Sequence, residues 1–503
     1  MKAHLLKIIA LLPCMAFSWS LHSQDPIPPA VKNNFTAVTA YDEMWPYLQS
    51  LDKRSDLLTM DIIGRSVNGK NLYALMYSAT RFGKDRSKIR VLIFAQQHGN
   101  EQSGKEAALL LAAELLKPEN RYLFDRIDLA LVPQVNPDGS ELNQRRNANQ
   151  MDLNRNHLIL TEPETMALHA LFDRYRFEVT LDVHEYYPYG GDWEKYGYRK
   201  NSDVTVGTAT NPNVSEKIRK LSDDDYLPYI FRYLHERDFS SFVYCPGGPP
   251  ELAYIRHSTF DINDGRQSFA IQNTFSFIQE GMNGEDSYLE NLRHRAGGQM
   301  VGMRGLLEYT WLNCVKIKDL IAAERELLVS GNADRQVSIQ SEHASVGSQL
   351  VIPLFSYSSK MDTLVRVNDY RPVVRSISDV TRPYGYLIPK GSTELISWAR
   401  RQSFTINTLK AKEDLRIEQY FIAAVDSIDF EGDTIINPKV SVTEIRESIR
   451  FRDYYFLPVS QLNGNLIILA LEPKSMLGLA TYEKYSHLIQ TGKFYPVLRV
   501  LKK

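Results

Sequence analysis

Cysteine is scarce in this chain, and long apolar runs are nearly missing. Only 3 of the 503 residues are cysteines, and one of them, Cys14, lies close to the N-terminus. Cys245 and Cys314 could form a single disulfide or remain as two buried free thiols, and the sequence leaves both outcomes open. No segment after the N-terminus approaches the ~20 apolar residues that a membrane-spanning helix needs.

Neither sign of charge is in excess, and we find no internal repeat or low-complexity tract. The chain has 59 Lys and Arg against 60 Asp and Glu, a balance that predicts neither nucleic acid nor an acidic membrane surface as a partner. Hydrophobic residues make up 43% of the sequence, which is ample for a packed core. The length suggests two or three domains.

The N-terminus has the layout of a secretory signal peptide. It reads MKAHLLKIIALLPCMAFSWSLHS, a basic start followed by a short apolar core and then small polar residues. The Leu-Leu-Pro before Cys14 lacks the small residue that usually precedes a lipid-modified cysteine. We predict a signal peptide over residues 1–23 and an exported, soluble protein that is secreted or periplasmic.

Apolar strands alternate with helical patterns from about Asn34 to Glu251. This alternation predicts an α/β fold with a mixed, largely parallel sheet flanked by helices. A long helical stretch, Ser287 to Leu328, follows, and beyond residue 332 short alternating segments rich in β-branched residues take over. We therefore predict a catalytic domain over residues 24–332. Residues 333–503 would form a smaller β-rich or α+β domain with a single helix, Thr393–Arg401.

His98 and Glu101 stand just past an apolar strand, Arg90 to Ala95, and before a helical stretch. A histidine and a carboxylate three residues apart can bind one metal ion, and zinc accepts both types of ligand. An isolated H-x-x-E is more often coincidental. A third ligand is available in His184, which also follows a strand, because neighbouring parallel strands end at the same edge of a sheet. Glu185 should then face the opposite side.

A polar loop after Asn136-Pro-Asp-Gly139 carries several arginines. Arginine presents a rigid fork of donors that binds carboxylates bidentately. The pair Asn154 and Arg155 is therefore a candidate carboxylate clamp, and Arg145 or Arg146 a candidate donor to an oxyanion. A solvated loop held by ion pairs is the simpler structural explanation if no metal lies nearby.

Two further stretches complete the set of candidates. The alternation of Thr274 to Glu280 predicts a strand that ends in a carboxylate, and Glu280 could take a proton from water beside a metal. An edge-strand glutamate facing solvent is the alternative. The aromatic and charged loop from Tyr254 to Arg266 could line a substrate pocket.

Together these features resemble the zinc carboxypeptidase family of the carboxypeptidase A and B type, over roughly residues 40 to 310. The order and combination of the motifs are far more specific than any one of them. The C-terminal part resembles the extra domain of some exported bacterial members. The motifs that carry the resemblance are Ile63-Gly-Arg-Ser-Val-Asn-Gly-Lys70, H-x-x-E, NPDG, D-x-N-R, the later D-x-H and the strand ending in Glu280.

The resemblance implies a role for each candidate residue. It implies one zinc ion per chain, bound by His98, Glu101 and His184, with Asp152 orienting the first histidine. It also implies Glu280 as the general base and Arg145 as the oxyanion stabiliser. It implies that Asn154 and Arg155 bind the terminal carboxylate of the substrate, and Tyr254 and Arg266 are further candidate substrate-binding residues. The family usually places a tyrosine about twenty residues before the base; only Tyr254 is near that position, and Arg266 or His257 could take part of its role.

The resemblance implies a metallocarboxypeptidase, a zinc-dependent hydrolase, and the signal peptide predicts that it is exported. Its substrates would be peptides or the stem peptides of the cell wall, cleaved at the C-terminal amide bond. Two alternatives stay open. One is a zinc-dependent deacylase of N-acyl amino acids, whose substrates also end in a carboxylate. The other is a catalytically silent binding module on the same fold.

Overall fold

The computed structural model describes residues 26–409, 415–430, 432–445 and 449–502. The predicted signal peptide lies outside the described residues, as does Cys14. In these ranges none of the helices combines the length and the apolar character that crossing a membrane requires.

A large mixed sheet forms the centre of the N-terminal region. The strands up to residue 282 are β1 (Leu58–Arg65), β2 (Asn71–Tyr77), β3 (Ile89–Ala95), β4 (Ile127–Val132), β5 (Val179–Tyr186), β6 (Tyr198–Lys200), β7 (Val204–Thr208), β8 (Ser241–Val243), β9 (Ile255–Arg256) and β10 (Phe275–Met282). Within the described residues the sheet has eight strands in the order β1-β2-β4-β3-β5-β10-β7-β8. The neighbours β4, β3, β5 and β10 run parallel, so their carboxyl ends share one edge.

Helices cover both faces of this sheet. Alternate residues of β3 enter different cores. Val91 and Ile93 pack with the helices Gln102–Glu114 and Leu292–Leu312, whereas Leu92 and Phe94 pack with the helices Pro163–Tyr175 and Gly265–Ala270. Burial on both faces explains why β3 is apolar from Val91 to Ala95. The helices of this region are α1 (Pro29–Lys32), α2 (Tyr41–Asp52), α3 (Gln102–Glu114), α4 (Pro137–Glu141), α5 (Pro163–Tyr175), α6 (Gly191–Lys195), α7 (Glu216–Leu221), α8 (Leu227–His235), α9 (Gly265–Ala270), α10 (Leu292–Leu312) and α11 (Cys314–Ser330), with 3₁₀ segments at Pro118–Asp125 and Leu153–Arg155 and a π-helical turn at Ser222–Tyr226.

The C-terminal region is built mainly from antiparallel strands. Its largest sheet has the order β18-β17-β20-β16-β19, and β11 pairs with β15. The elements are β11 (Gln336–Ala344), β12 (Leu350–Ser356), β13 (Met361–Val367), β14 (Tyr370–Arg371), β15 (Val373–Thr381), β16 (Gly385–Pro389), α12 (Thr393–Arg401), β17 (Leu415–Phe430), β18 (Asp433–Glu444), β19 (Tyr454–Pro458), α13 (Gly464–Leu471) and β20 (Leu498–Lys502), with 3₁₀ segments at Phe451–Asp453, Leu479–Thr481 and Glu483–Leu488.

Strand pairing and a shared core join the two regions. Strand β12 pairs with β6, Phe355 opposite Arg199, and β14 pairs with β9, Tyr370 opposite Ile255. Buried side chains of α13, such as Ile467, belong to the same apolar cluster as the α3 face of the main sheet. The C-terminal region therefore packs closely on the region that carries the candidate site.

The predicted fold class, a mixed α/β sheet with helices on both faces and a β-rich C-terminal part, is confirmed. Two local predictions were wrong. The helical stretch from Ser287 to Leu328 is two helices, because Asn313 takes a non-helical conformation (φ −111°, ψ 17°). The C-terminal region also holds a second helix, α13, which is buried on all sides and so shows no polar face. Cys245 and Cys314 are both buried free thiols.

Candidate metal centre and active site

The segment after β3 is shaped by close backbone packing. Gln96 adopts a left-handed conformation, φ 60°, and its amide donates to Gly99 and Ser140. A Cβ on Gly99 would lie 2.1 Å from the carbonyl carbon of Gly139, so glycine is required where the H-x-x-E turn meets the NPDG turn. This contact fixes the position of His98 at the sheet edge.

Two imidazoles and one carboxylate converge at this edge. His98 Nδ1 lies 2.7 Å from Glu101 Oε1, and His184 Nδ1 lies 2.8 Å from Glu101 Oε2. The two Nδ1 atoms are 3.1 Å apart. All three side chains are buried, and one donor atom from each lies within 4.8 Å of the others.

The other nitrogen of each imidazole faces a carboxylate. His98 Nε2 lies 3.1 Å from Asp152 Oδ1, and His184 Nε2 lies 2.9 Å from Asp182 Oδ1. With a metal ion bound, these contacts would hold the proton on Nε2 and leave the two Nδ1 lone pairs to bind the ion. A donor set of two nitrogens and one carboxylate suits zinc, so the residues present fit that metal.

The electrostatics of this cluster favour a bound cation. Burial alone would raise the pKa of Glu101, but His98 and His184 outweigh burial and hold that pKa well below its usual value. Burial lowers the pKa of His184, yet Asp182 and Glu101 outweigh it and hold that pKa well above its usual value. Negative charge gathered around two imidazoles is thus compensated by protons or by a metal ion.

Glu280 stands beside the cluster on the neighbouring strand. The parallel register of β10 and β5 pairs Glu280 directly with His184, and only 8% of the glutamate is exposed. Burial, opposed by His184 and assisted by Glu101, raises the pKa of Glu280 to about 7. A carboxylate with such surroundings can exchange a proton near neutral pH.

Arg145 reaches the cluster from the loop after the NPDG turn. Its Nε donates to Asp152 Oδ2 at 3.0 Å, and its Nη1 lies 3.1 Å from His98 Nδ1 and 3.6 Å from Glu101 Oε1. The side chain is 45% exposed, so it borders both solvent and the ligand atoms. Arg146, its neighbour, bonds instead to the backbone carbonyl of Gln150.

Asn154 and Arg155 follow Asp152 in a short 3₁₀ turn. The Asn154 amide nitrogen lies 3.3 Å from His184 Nε2, and its oxygen accepts from the backbone N–H of Gly265 at 2.7 Å. Arg155 is exposed and donates to the Asn154 carbonyl. The pair therefore combines a buried amide at the ligands with an exposed cation beside them.

Known proteins place this chain in a family. A family model described as zinc carboxypeptidase matches residues 44–226. The probable carboxypeptidase 2 of Trichophyton verrucosum is 31% identical over 399 residues, which is 77% of this chain and 75% of that protein. The chain belongs to the zinc carboxypeptidase family. Carboxypeptidase 2 of Trichophyton tonsurans is 22% identical over 95% of this chain and 89% of its own length.

Solved structures of similar fold include a metallo-carboxypeptidase from Pseudomonas aeruginosa. It is 18% identical, with a TM-score of 0.42, over 55% of this chain and 69% of its own. As a member of the zinc carboxypeptidase family the chain is a hydrolase, and zinc is the metal that the family implies.

The remaining predicted residues of this zinc carboxypeptidase lie in different surroundings. The ring of Tyr254 packs against the guanidinium of Arg371, with 4.0 Å from its centroid to Cζ. Arg266 is buried in an ion pair with Asp264 at 3.0 Å. His257 faces Thr208 at 3.0 Å. None of these contacts brings the three side chains to the cluster of His98, Glu101 and His184.

Glu185 faces away from the ligand cluster, as its place on the strand predicted. It accepts hydrogen bonds from the backbone and side chain of Ser103 and pairs with Arg295. It therefore helps to fasten α3 and α10 to the sheet.

Three residues near the cluster were given no role from the sequence. Asp182 could have been found, because side chains two residues apart on a strand share a face and Asp182 precedes His184 by two. Tyr244 has Glu280, Arg266 and Arg155 as charged neighbours, and burial raises its pKa above the usual value. No local pattern marked Tyr244. Nor did any mark Gln97, which donates to both oxygens of Asp182.

Proposed function

We propose that this protein is an exported zinc metallocarboxypeptidase that hydrolyses the C-terminal amide bond of peptides or of peptidoglycan stem peptides. The observation that carries the proposal is the convergence of His98, Glu101 and His184 beside Glu280 at the carboxyl edge of the sheet. These three side chains would hold one zinc ion per chain. The predicted signal peptide supports a secreted or periplasmic site of action.

Each residue around the ligands has a step that it can perform. Zinc, when bound, supplies a Lewis acid that polarises the scissile carbonyl and lowers the pKa of water. Glu280 takes the proton from the attacking water and then gives it to the amide nitrogen as the C–N bond breaks and the C-terminal residue leaves. Arg145, half exposed next to the ligand atoms, donates to the oxyanion that forms as the carbonyl is attacked.

Asn154 and Arg155 would bind the terminal carboxylate of the substrate. The exposed guanidinium of Arg155 lies on the solvent side of the turn, whereas the Asn154 amide lies beside His184. A planar guanidinium and an amide donor together match a carboxylate. This arrangement supports substrates that end in a free carboxylate and orients their last amide bond towards Glu280.

The decisive experiment compares two substrate classes side by side. We expect the purified protein to shorten free-acid peptides by one residue and to leave C-terminally amidated peptides and N-acyl amino acids intact. Preferential hydrolysis of the N-acyl amino acids would establish the deacylase instead. A silent binding module would hydrolyse neither class. Elemental analysis before and after chelation shows whether the protein binds zinc.

A further inference from the structure

A helix of the C-terminal region is hydrogen-bonded to the backbone just after the proposed substrate clamp. The indole N–H of Trp398, in α12, donates to the carbonyl of Leu158 at 2.8 Å. Gln402, at the end of α12, donates its amide to the same carbonyl at 2.7 Å and to the carbonyl of His157 at 2.9 Å. Arg401 adds a bond to the carbonyl of Ile159 at 3.1 Å.

These carbonyls depend on outside donors. Residues 156–161 belong to neither a helix nor a strand, and Leu160 adopts a left-handed conformation, φ 50°. His157 and Leu158 are buried, as are Trp398 and Gln402, which are 0% and 3% exposed. A buried carbonyl without a partner is costly, so the C-terminal helix determines where this segment can lie.

The same segment is tied to the metal cluster on its other side. His157 Nε2 lies 2.8 Å from Gln97 Oε1, and the Gln97 amide lies 3.2 Å from Asn154 Oδ1 and 2.9 Å from Asp182 Oδ2. The backbone N–H of His157 donates to Asn263, whose amide donates to the hydroxyl of Tyr482 in the C-terminal region at 2.9 Å. The C-terminal region therefore contacts His157 directly through Gln402 and indirectly through Tyr482 and Asn263.

We propose that Gln402 and Trp398 are positioning residues of the active site, which hold residues 157–159 so that Asn154 and Arg155 meet the substrate carboxylate. This inference rests on the proposed function. It makes the C-terminal region part of the catalytic unit. Loss of the hydrogen bonds from Gln402 and Trp398 should therefore weaken binding of the substrate carboxylate and leave zinc binding unchanged.

Gln402→Leu is the principal test, because it keeps most of the side-chain volume and removes both donors. We expect KM for a free-acid dipeptide, and Kd for benzylsuccinate, a dicarboxylate, measured by calorimetric titration, to rise roughly three- to tenfold. The kcat value, the zinc content and the affinity for acetohydroxamate, which needs no carboxylate clamp, should stay the same. In an Arg155→Ala background the change in the benzylsuccinate Kd from Gln402→Leu should disappear, since coupled residues are not additive.

Gln340→Leu is the matched control. Gln340 is also buried and also donates two bonds, but to Asn437 and Lys474 within the C-terminal region. Equal effects of the two variants, equal loss of affinity for both inhibitors, or additivity with Arg155→Ala would overturn the positioning role. If Gln402→Leu does not fold, Trp398→Phe, which removes one donor and keeps a six-membered aromatic ring, is judged by the same criteria. The benzylsuccinate titration needs no turnover, so it remains informative if the wild type fails to hydrolyse peptides and the proposed function falls.

Discussion

Two pairs of buried histidines lie in this molecule with nearly the same ring geometry. The rings of His98 and His184 have centroids 4.7 Å apart at 51°, and those of His157 and His169 have centroids 5.1 Å apart at 47°. Gln97 links the pairs, because it contacts His157 on one side and Asp182, the partner of His184, on the other.

The surroundings of the two pairs differ in charge. The first pair has Glu101 between its Nδ1 atoms and an aspartate behind each ring. The second pair bonds to itself at 2.9 Å and packs against the ring of Phe269. Burial lowers the pKa of His169 to about 3 and takes the pKa of His157 well below its usual value. Two adjacent imidazoles therefore form a candidate metal centre in the first pair and are neutral core residues in the second.

Two close imidazoles therefore do not by themselves make a metal site. Carboxylates behind the rings set which nitrogen carries the proton, and a carboxylate between them supplies the third ligand. An aromatic neighbour supplies neither. Substitutions in one histidine pair, and then in the other, test this distinction.

The largest effect is expected from removing one ring of each pair. His184→Ala should lose zinc to a chelator that leaves the wild type loaded, because two protein ligands hold zinc poorly. His169→Ala, the matched change in the uncharged pair, should retain one zinc per chain although it leaves a cavity. Elemental analysis after dialysis against EDTA measures both. Full occupancy in His184→Ala would show that the metal binds elsewhere.

The next effect concerns the carboxylate beside the charged pair. Glu280→Gln keeps the size of the side chain but cannot accept the proton, so turnover should fall by ~10²–10⁴-fold with zinc and substrate still bound. Glu185→Gln, one residue past His184 but facing α3, should keep turnover within a few-fold per folded molecule. Single-turnover rates and equilibrium binding of one peptide distinguish the two. An inactive Glu185→Gln beside an active Glu280→Gln would reverse the assignment of the base.

A smaller effect tests whether the charged cluster serves a carboxylate substrate. Arg155→Ala should weaken binding of free-acid peptides by ~1.5–3 kcal/mol, roughly ten- to hundredfold. Amidated analogues should bind as they do to the wild type. Arg146→Ala is the control, because Arg146 lies in the same loop but bonds only to the backbone of Gln150 in the described contacts. Competition binding with paired peptides gives the answer; equal losses on both would assign Arg155 to the fold.

The smallest effect concerns stability and belongs to the uncharged pair. The folded-state pKa of His169 is about 3, below the ~6.5 of an unfolded histidine. As pH falls below about 6.5, the unfolded chain binds a proton at His169 and the folded chain does not. The free energy of unfolding therefore decreases. For one such group the loss between pH 7 and pH 5 is about 2 kcal/mol. In His169→Phe the free energy of unfolding should fall less between these pH values than in the wild type, by that amount. Urea unfolding at both pH values in EDTA measures the difference. Parallel losses in the two proteins would mean that His169 does not titrate this way.

The sequence alone determined the features that depend on local pattern. The apolar run of β3 and the helical pattern of α12 predicted those elements, and the predicted bounds of α12 match the structure. The candidate ligands followed from the rule that parallel strands end at one edge, and the combination of motifs pointed to the family. The helix break at Asn313 and the helix α13 were not predicted. The break does not change the apolar content of its segment, and a completely buried helix has no polar face to mark its period.

Only the tertiary structure decided which distant side chains meet. Gln97 and His157 are 60 positions apart in the chain, and Gln402 lies 245 positions from the carbonyl that it holds. The same holds for Tyr244, which lies near Glu280, and for Tyr254, which packs on Arg371 instead. A local pattern records burial and periodicity, whereas a hydrogen bond across the chain depends on how whole elements are packed. The charge around each histidine pair, and with it the chemistry of that pair, was set at that level.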